Sequence, residues 1–226
     1  MPNQVFTQRL RESADHIWTA QYDHPVVVGI GNGSLDSEIF EFWLRQDYLF
    51  LIDYCRVFAM AVVRAPDLDA MTAFSKLLHD TLTREMDLHR SLAADFSVSL
   101  RDLATEQKTP TTQGYADFLL RTAATGDYAE LLGALLPCMW GYSELGQHLA
   151  RSSTSGDSPY TKWIATYADP EFADLAKWCR DLTNKACAGL PESALLRIER
   201  AFVTSSRYEL AFWDMAWRRE ITLVGE

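Results

Sequence analysis

An all-α, single-domain helical bundle is the fold this sequence predicts. Apolar residues recur at helical spacing through almost every long segment. The breaks between those segments are short and carry Gly, Pro, Ser and Thr. The one strand-like run, Val26-Val27-Val28, is too short to build a sheet, and no repeat, linker or low-complexity tract divides the chain. With 226 residues the chain buries a substantial core without disulfides or metals, so one domain over residues 1–226 is expected.

In chain order, helices are expected near 4–21, 36–65, 69–95, 112–125, 128–152, 158–168, 170–188 and 191–219. Asp36 caps the second, with Glu38 in its first turn. Pro191 starts the last one near its first position. The breaks fall at 24–35, 105–111, 152–158 and 188–190. Gly29, Gly31 and Gly33 form a Gly-x-Gly-x-Gly run. A phosphate-binding loop of that kind follows a strand inside a βαβ unit, and none is present. The run is expected to be a glycine loop between two helices.

Composition excludes several function classes. The net charge of −10 opposes nucleic acid and anionic membranes, and the densest cationic spot is only Arg218-Arg219. Neither a nucleic-acid nor a membrane partner is expected. Residues Met1 to Leu10 are polar and no apolar run is long enough to span a bilayer, so the expected compartment is the cytoplasm. Cys55, Cys138, Cys179 and Cys187 contain no C-x-x-C pair, which suggests neither a zinc site nor a disulfide framework. With 7 Trp, 9 Tyr and 11 Phe, rings suffice both to fill a core and to line a pocket for a flat ligand.

Three polar residues stand where apolar ones belong. Phe40, Trp43, Leu44, Leu51, Tyr54 and Phe58 form one helical stripe, and the position that should continue it is Asp47. A buried carboxylate needs a partner, and an arginine from another helix and a polar ligand are both open. Glu209 has Phe202, Phe212 and Trp213 at i−7, i+3 and i+4, with Tyr208 adjacent. A carboxyl among rings holds its proton more tightly, which suits a proton donor near neutral pH; a carboxylate snorkelling at the core edge is equally open. Cys138 follows Pro137, which removes an amide donor inside a helix and should kink it. Tyr142 shares a face with the thiol four residues on, and Gly141 leaves room for something flat. A lone buried cysteine is also simply a small core residue.

Glu85–His89 and Glu144–His148 are both i, i+4 pairs, as carboxylate-bridged di-iron bundles use. No histidine follows His148 to complete such a set, so solvated or interhelical pairing is expected and no metal.

Six segments together resemble the TenA, or thiaminase II, family. They are His-Pro-Val-Val-Val-Gly-Ile-Gly-Asn-Gly-Ser-Leu (24–35), Gln-Asp-Tyr-Leu-Phe-Leu (46–51), Pro-Thr-Thr-Gln-Gly-Tyr (110–115), Leu-Leu-Pro-Cys-Met-Trp (135–140), Lys-Trp-Ile-Ala-Thr-Tyr (162–167) and Ser-Ser-Arg-Tyr-Glu-Leu-Ala-Phe-Trp (205–213). Their order and spacing fit over nearly the whole chain. The resemblance implies a haem-oxygenase-like helical fold, a homotetramer, and no cofactor, haem included. It implies a hydrolase that releases hydroxymethylpyrimidine from an aminomethyl-aminopyrimidine, or from thiamin, in thiamin salvage. By the same resemblance Cys138 is the nucleophile, Glu209 the proton donor and Asp47 the residue that binds the ring amino group and its neighbouring nitrogen. Tyr115, Tyr142 and Tyr167 match aromatic pocket positions. Many members carry a tyrosine three residues after the aspartate, its phenol reaching the thiol; here that residue is Phe50, which keeps the ring and loses the hydrogen bond. Tyr48 lies on another face and does not replace it. Asp47, Cys138 and Glu209 are expected to converge on one enclosed pocket. A non-catalytic pyrimidine binder or regulator of the same fold is the alternative, and a metal-dependent helical oxygenase a third.

Overall fold

A computed structural model describes residues 5–152 and 159–221, and all regular structure among them is helical. Contacts divide the chain into two compact units. The first takes Met1–Leu35 and Ala129–Trp213, the second Asp36–Tyr128 and the segment after Trp213. The expected break at 152–158 lies largely outside the described residues.

The first unit opens with α1 (Phe6–Ser13), α2 (Asp15–Tyr22) and α3 (Pro25–Asn32). One helix was expected over 4–21; the chain breaks at Ala14, whose φ of −114° and ψ of 10° leave the helical region. The cause is local. The Ser13 hydroxyl donates to the Leu10 carbonyl at 2.7 Å, and the Ala14 amide turns to Arg11 instead. The expected glycine loop at 24–35 is also wrong: most of it is α3. His24 Nδ1 accepts from the Val26 amide, Pro25 occupies the first turn, and Gly33 ends the helix in the left-handed region at φ 76°. A side chain at Gly29 would press on the Leu35 backbone at 3.0 Å, so this glycine serves close packing and no phosphate.

Two long helices of this unit carry suspected chemistry, α9 (Tyr128–Ser152) and α12 (Glu192–Arg218), with α10 (Thr161–Ala168) and α11 (Pro170–Cys187) between them in sequence. Gly133 lets α9 approach α12: a Cβ there would meet Ile198 Cγ2 at 2.6 Å. Trp18 fills the space further along. It stacks on Phe202 at 5.9 Å, meets Trp140 edge-on at 5.2 Å, and donates its indole N–H to Ser206 Oγ at 3.0 Å. Trp213 likewise donates to Gln21 Oε1 at 3.2 Å. Burying rings of this size contributes most of the packing energy, and their polar atoms are satisfied as burial requires.

The second unit is built round α4 (Ser37–Arg64), which packs on α5 (Leu68–Asp80), α6 (Met86–Asp95), α7 (Leu100–Thr105) and α8 (Pro110–Thr125). Asp36 caps α4 as expected, accepting from the Glu38 amide at 2.9 Å. The expected stripe from Phe40 to Phe58 is buried throughout. The helix expected over 69–95 is interrupted by a π-helical turn, Thr81–Glu85, a form that concentrates at functional sites. Helix α7 was not expected; Ser99 and Asp102 form a complete capping box, a signal present in the sequence. Gln46 ties α8 to α4. Its Oε1 accepts from the Thr109 amide at 2.9 Å and from Thr112 Oγ1 at 2.8 Å, and its Nε2 donates to the Gln107 carbonyl at 2.9 Å.

Candidate active site

In the first unit the geometry is set by α9 and α12. Their contacts rise together along both helices, from Gly133 against Ile198, through Trp140 and Phe202 at 6.5 Å, to Tyr142 and Trp213 at 5.8 Å. The two helices therefore run parallel. Cys138 lies one turn before Tyr142, and Glu209 one turn before Trp213, so each shares a face with a ring that touches the other helix. Glu209 is 3% exposed, whereas the Cys138 thiol is half-buried. Tyr142 and Tyr167 stand 5.1 Å apart, and Trp163 lies 6.1 Å from Tyr142 and 4.8 Å from Tyr167. Four rings, Tyr142, Trp163, Tyr167 and Trp213, thus pack into one cluster. Gly146 makes it possible: a Cβ there would strike the Tyr167 carbonyl carbon and stand 2.7 Å from the Ala168 amide. Gly141 is half-buried, and the Trp18 indole comes only to 3.9 Å from where a Cβ would stand, an ordinary contact.

Burial pushes the Cys55 thiol up to about 11 and the Cys179 thiol up to about 12, and Cys187 is buried as well. Cys138 is the thiol of the four that meets solvent most openly.

In the second unit Asp47 is 6% exposed, and its partner is neither an arginine nor a solvent-facing group. His89, wholly buried, sits with Nε2 2.6 Å from Asp47 Oδ2 and Nδ1 2.9 Å from the Glu85 carbonyl oxygen. The Trp43 ring lies 6.3 Å from the imidazole. Burial alone would lower the His89 pKa. The Asp47 hydrogen bond and charge, with Glu85, outweigh it and raise the value above the ordinary one. Phe50, one turn after Asp47, stacks on Tyr115 at 4.8 Å and on Tyr54 at 5.4 Å. Tyr48 interacts with Arg90 instead.

The structure thus groups Cys138, Tyr142, Tyr167 and Glu209 in one unit and Asp47, Phe50 and Tyr115 in the other. Sequence reasoning missed His89, Trp163 and Gln46 as members of these groups. The Glu85–His89 spacing had marked the histidine, but the pairing is with Asp47 on α4 and with the Glu85 backbone. Glu144 accepts from the Tyr22 hydroxyl at 2.9 Å and lies 3.6 Å from Arg11, while His148 packs its ring on Tyr22 at 5.0 Å. Among the described residues no three His, Cys, Asp or Glu side chains are grouped to hold a metal ion. No helix among them is long and apolar enough to cross a membrane.

Comparison with known proteins shows the family and the fold. The model of the TENA/THI-4/PQQC family matches residues 11–219. An aminopyrimidine aminohydrolase of Halalkalibacterium halodurans is 42% identical over 217 residues, covering 96% of this chain and 97% of that one. Among solved structures, a TenA homologue from P. horikoshii OT3 superposes with a TM-score of 0.88 at 31% identity, over 95% of this chain and 99% of that one. A Shewanella denitrificans domain with a haem-oxygenase-like fold superposes with a TM-score of 0.75 at 14% identity, over 94% of this chain and 92% of that one, and shares the fold alone.

Proposed function

The chain belongs to the TENA/THI-4/PQQC family, and from that membership we propose that it is an aminopyrimidine aminohydrolase of the thiaminase II type. It releases hydroxymethylpyrimidine from an aminomethyl-aminopyrimidine, or from thiamin, for thiamin salvage. The observation that carries this reading is the full-length likeness to the Halalkalibacterium aminohydrolase.

The residues suit the reaction. An amine on the exocyclic methylene of an aromatic pyrimidine is hard to displace directly. The Cys138 thiolate adds to ring C6, forming a C–S bond and breaking aromaticity. Glu209 gives a proton as charge develops, and the amine leaves as ammonia. Water adds to the exocyclic methylene, and loss of the thiol restores the ring and closes the cycle. A half-buried thiol can meet substrate, whereas Cys55 and Cys179 are held protonated by burial. Asp47 holds the ring amino edge, and Phe50, Tyr115, Tyr142 and Tyr167 offer flat surfaces to the ring. The same reading makes the protein a cytoplasmic homotetramer.

The test is ammonia release from 4-amino-5-aminomethyl-2-methylpyrimidine, with binding of the hydroxymethyl product measured alongside. Cys138→Ser and Glu209→Gln should each lose about 10²-fold or more in kcat while keeping product affinity. Asp47→Ala should weaken binding at least as much as turnover, because its contact precedes the transition state. A wild-type protein that binds the pyrimidine and releases no ammonia is a binder or regulator, and full turnover in Cys138→Ser removes the covalent route.

A further inference from the structure

The proton count at His89 is not that of an ordinary buried histidine. Its Nδ1 faces the Glu85 carbonyl oxygen, which can only accept, so Nδ1 carries a hydrogen. A neutral imidazole would then present a bare lone pair at Nε2. That nitrogen lies 2.6 Å from Asp47 Oδ2, inside a wholly buried site, where two facing lone pairs repel strongly. A proton must lie between Nε2 and Oδ2. Two charged groups face the imidazole: Asp47 from α4 and Glu85 from the π-helical turn just before α6. Both favour the imidazolium. The bond engages Oδ2, and among the described residues no hydrogen bond is recorded to Oδ1.

We propose that His89 is the positioning residue that sets ring selectivity: as an imidazolium it holds Asp47 as an acceptor-only carboxylate, so that Oδ1 takes pyrimidines with an amino edge and rejects those with an oxo edge. The argument rests on the reading of Asp47 as the ring-binding carboxylate. A carboxylate oxygen can accept from an exocyclic N–H₂ but meets a ring carbonyl lone pair to lone pair. A neutral carboxyl could donate to that carbonyl and would lose the discrimination. The counter-charge on His89 offsets the cost of burying a carboxylate beside it. Its second bond, to the Glu85 backbone, fixes the ring plane and with it the direction of Oδ1.

The experiment compares affinities of 4-amino-5-hydroxymethyl-2-methylpyrimidine and its 4-oxo counterpart for wild type and His89→Gln between pH 6 and 9. Glutamine keeps a neutral donor near Asp47 and removes the charge. Wild type should prefer the amino compound by roughly 10- to 100-fold, the range of a charge-assisted hydrogen bond made or missed. In His89→Gln at neutral pH the ratio should fall about tenfold or more, with KM for the aminomethyl substrate rising more than kcat falls. A KM that rises ahead of any fall in kcat is a signature that a merely structural histidine does not give. The nitrogen NMR spectrum of wild-type protein should show both His89 ring nitrogens protonated at pH 7, and this measurement stands even where the variant folds poorly. A neutral His89 imidazole, or an amino-over-oxo ratio unchanged in His89→Gln, overturns the proposal and leaves the hydrolase reading in place. Wild-type protein that binds neither pyrimidine overturns both.

Discussion

Phe50 stands one turn after Asp47, stacks on Tyr54 and Tyr115, and carries no hydroxyl on its ring. On the proposed mechanism a phenol at this position would donate to the thiolate. Phe50→Tyr should therefore change turnover by about tenfold or more, as donors at a developing charge commonly do, and alter its pH profile. Identical rates at every pH would show that this position does not tune Cys138. The four thiols differ just as sharply. With the Cys55 thiol at about 11, roughly one molecule in a thousand carries the thiolate at pH 8, and fewer still for Cys179 at about 12. Iodoacetamide at pH 8 should label Cys138 and spare Cys55 and Cys179 until the protein is unfolded, as peptide mass analysis would read out. Equal labelling of Cys55 and Cys138 in the folded protein would contradict the burial argument.

At the scale of elements, the chemistry depends on how closely helices approach. Helix α10 reaches α9 because Gly146 has no side chain, and that contact seats Tyr167 and Trp163 beside Tyr142. Gly146→Ala would place a methyl against the Tyr167 backbone, which has no flexible end to move aside. The expected loss is about 1–3 kcal/mol of stability by overpacking, together with a raised KM from the displaced rings. A urea midpoint equal to that of wild type would mean that α10 shifts freely. The elements also mark how far the sequence could be read. Helix α4, its Asp36 cap and its buried stripe were legible because periodicity and capping are local. Helix α3 was not, since three glycines and a Val-Val-Val run have poor helical propensity. Its His24 cap, its first-turn Pro25 and its packing on Leu35 outweigh that preference. The break at Ala14 came from one serine hydroxyl, a competition that periodicity does not register.

For the whole molecule, several buried groups bind protons more tightly folded than unfolded. Such groups lend stability that is fully present below their ordinary pKa and is lost as pH rises through the folded value. His89 opens this loss just above its ordinary 6.5. Cys55 and Cys179 continue it from 9.0 towards about 11 and about 12, and Tyr22, raised by burial and by Glu144, from 10.0 towards about 12. The urea midpoint should therefore decline in two stages as pH is raised from 6 to 11. His89→Gln should lower the midpoint at pH 6 and flatten the first stage only. A midpoint that climbs between pH 6.5 and 8.5 in wild type would reverse the sign assigned to His89.

The helical class, the stripe on α4 and the suspicion attached to Asp47, Cys138 and Glu209 came from the sequence by itself. Each is a local property: a repeat of 3.6 residues, a cap, a carboxyl or thiol where the repeat calls for an apolar side chain. The partner of Asp47 came only from tertiary structure. His89 lies 42 residues further along the chain, and its meaning depends on a 2.6 Å contact across two helices and on a backbone carbonyl on its other side. The cluster of Tyr142, Trp163 and Tyr167 is of the same kind, since Gly146 appears in the sequence as an ordinary helical glycine until α10 is packed against it. Periodicity records which face a residue occupies; which faces meet, and which protons lie between them, is settled by packing alone.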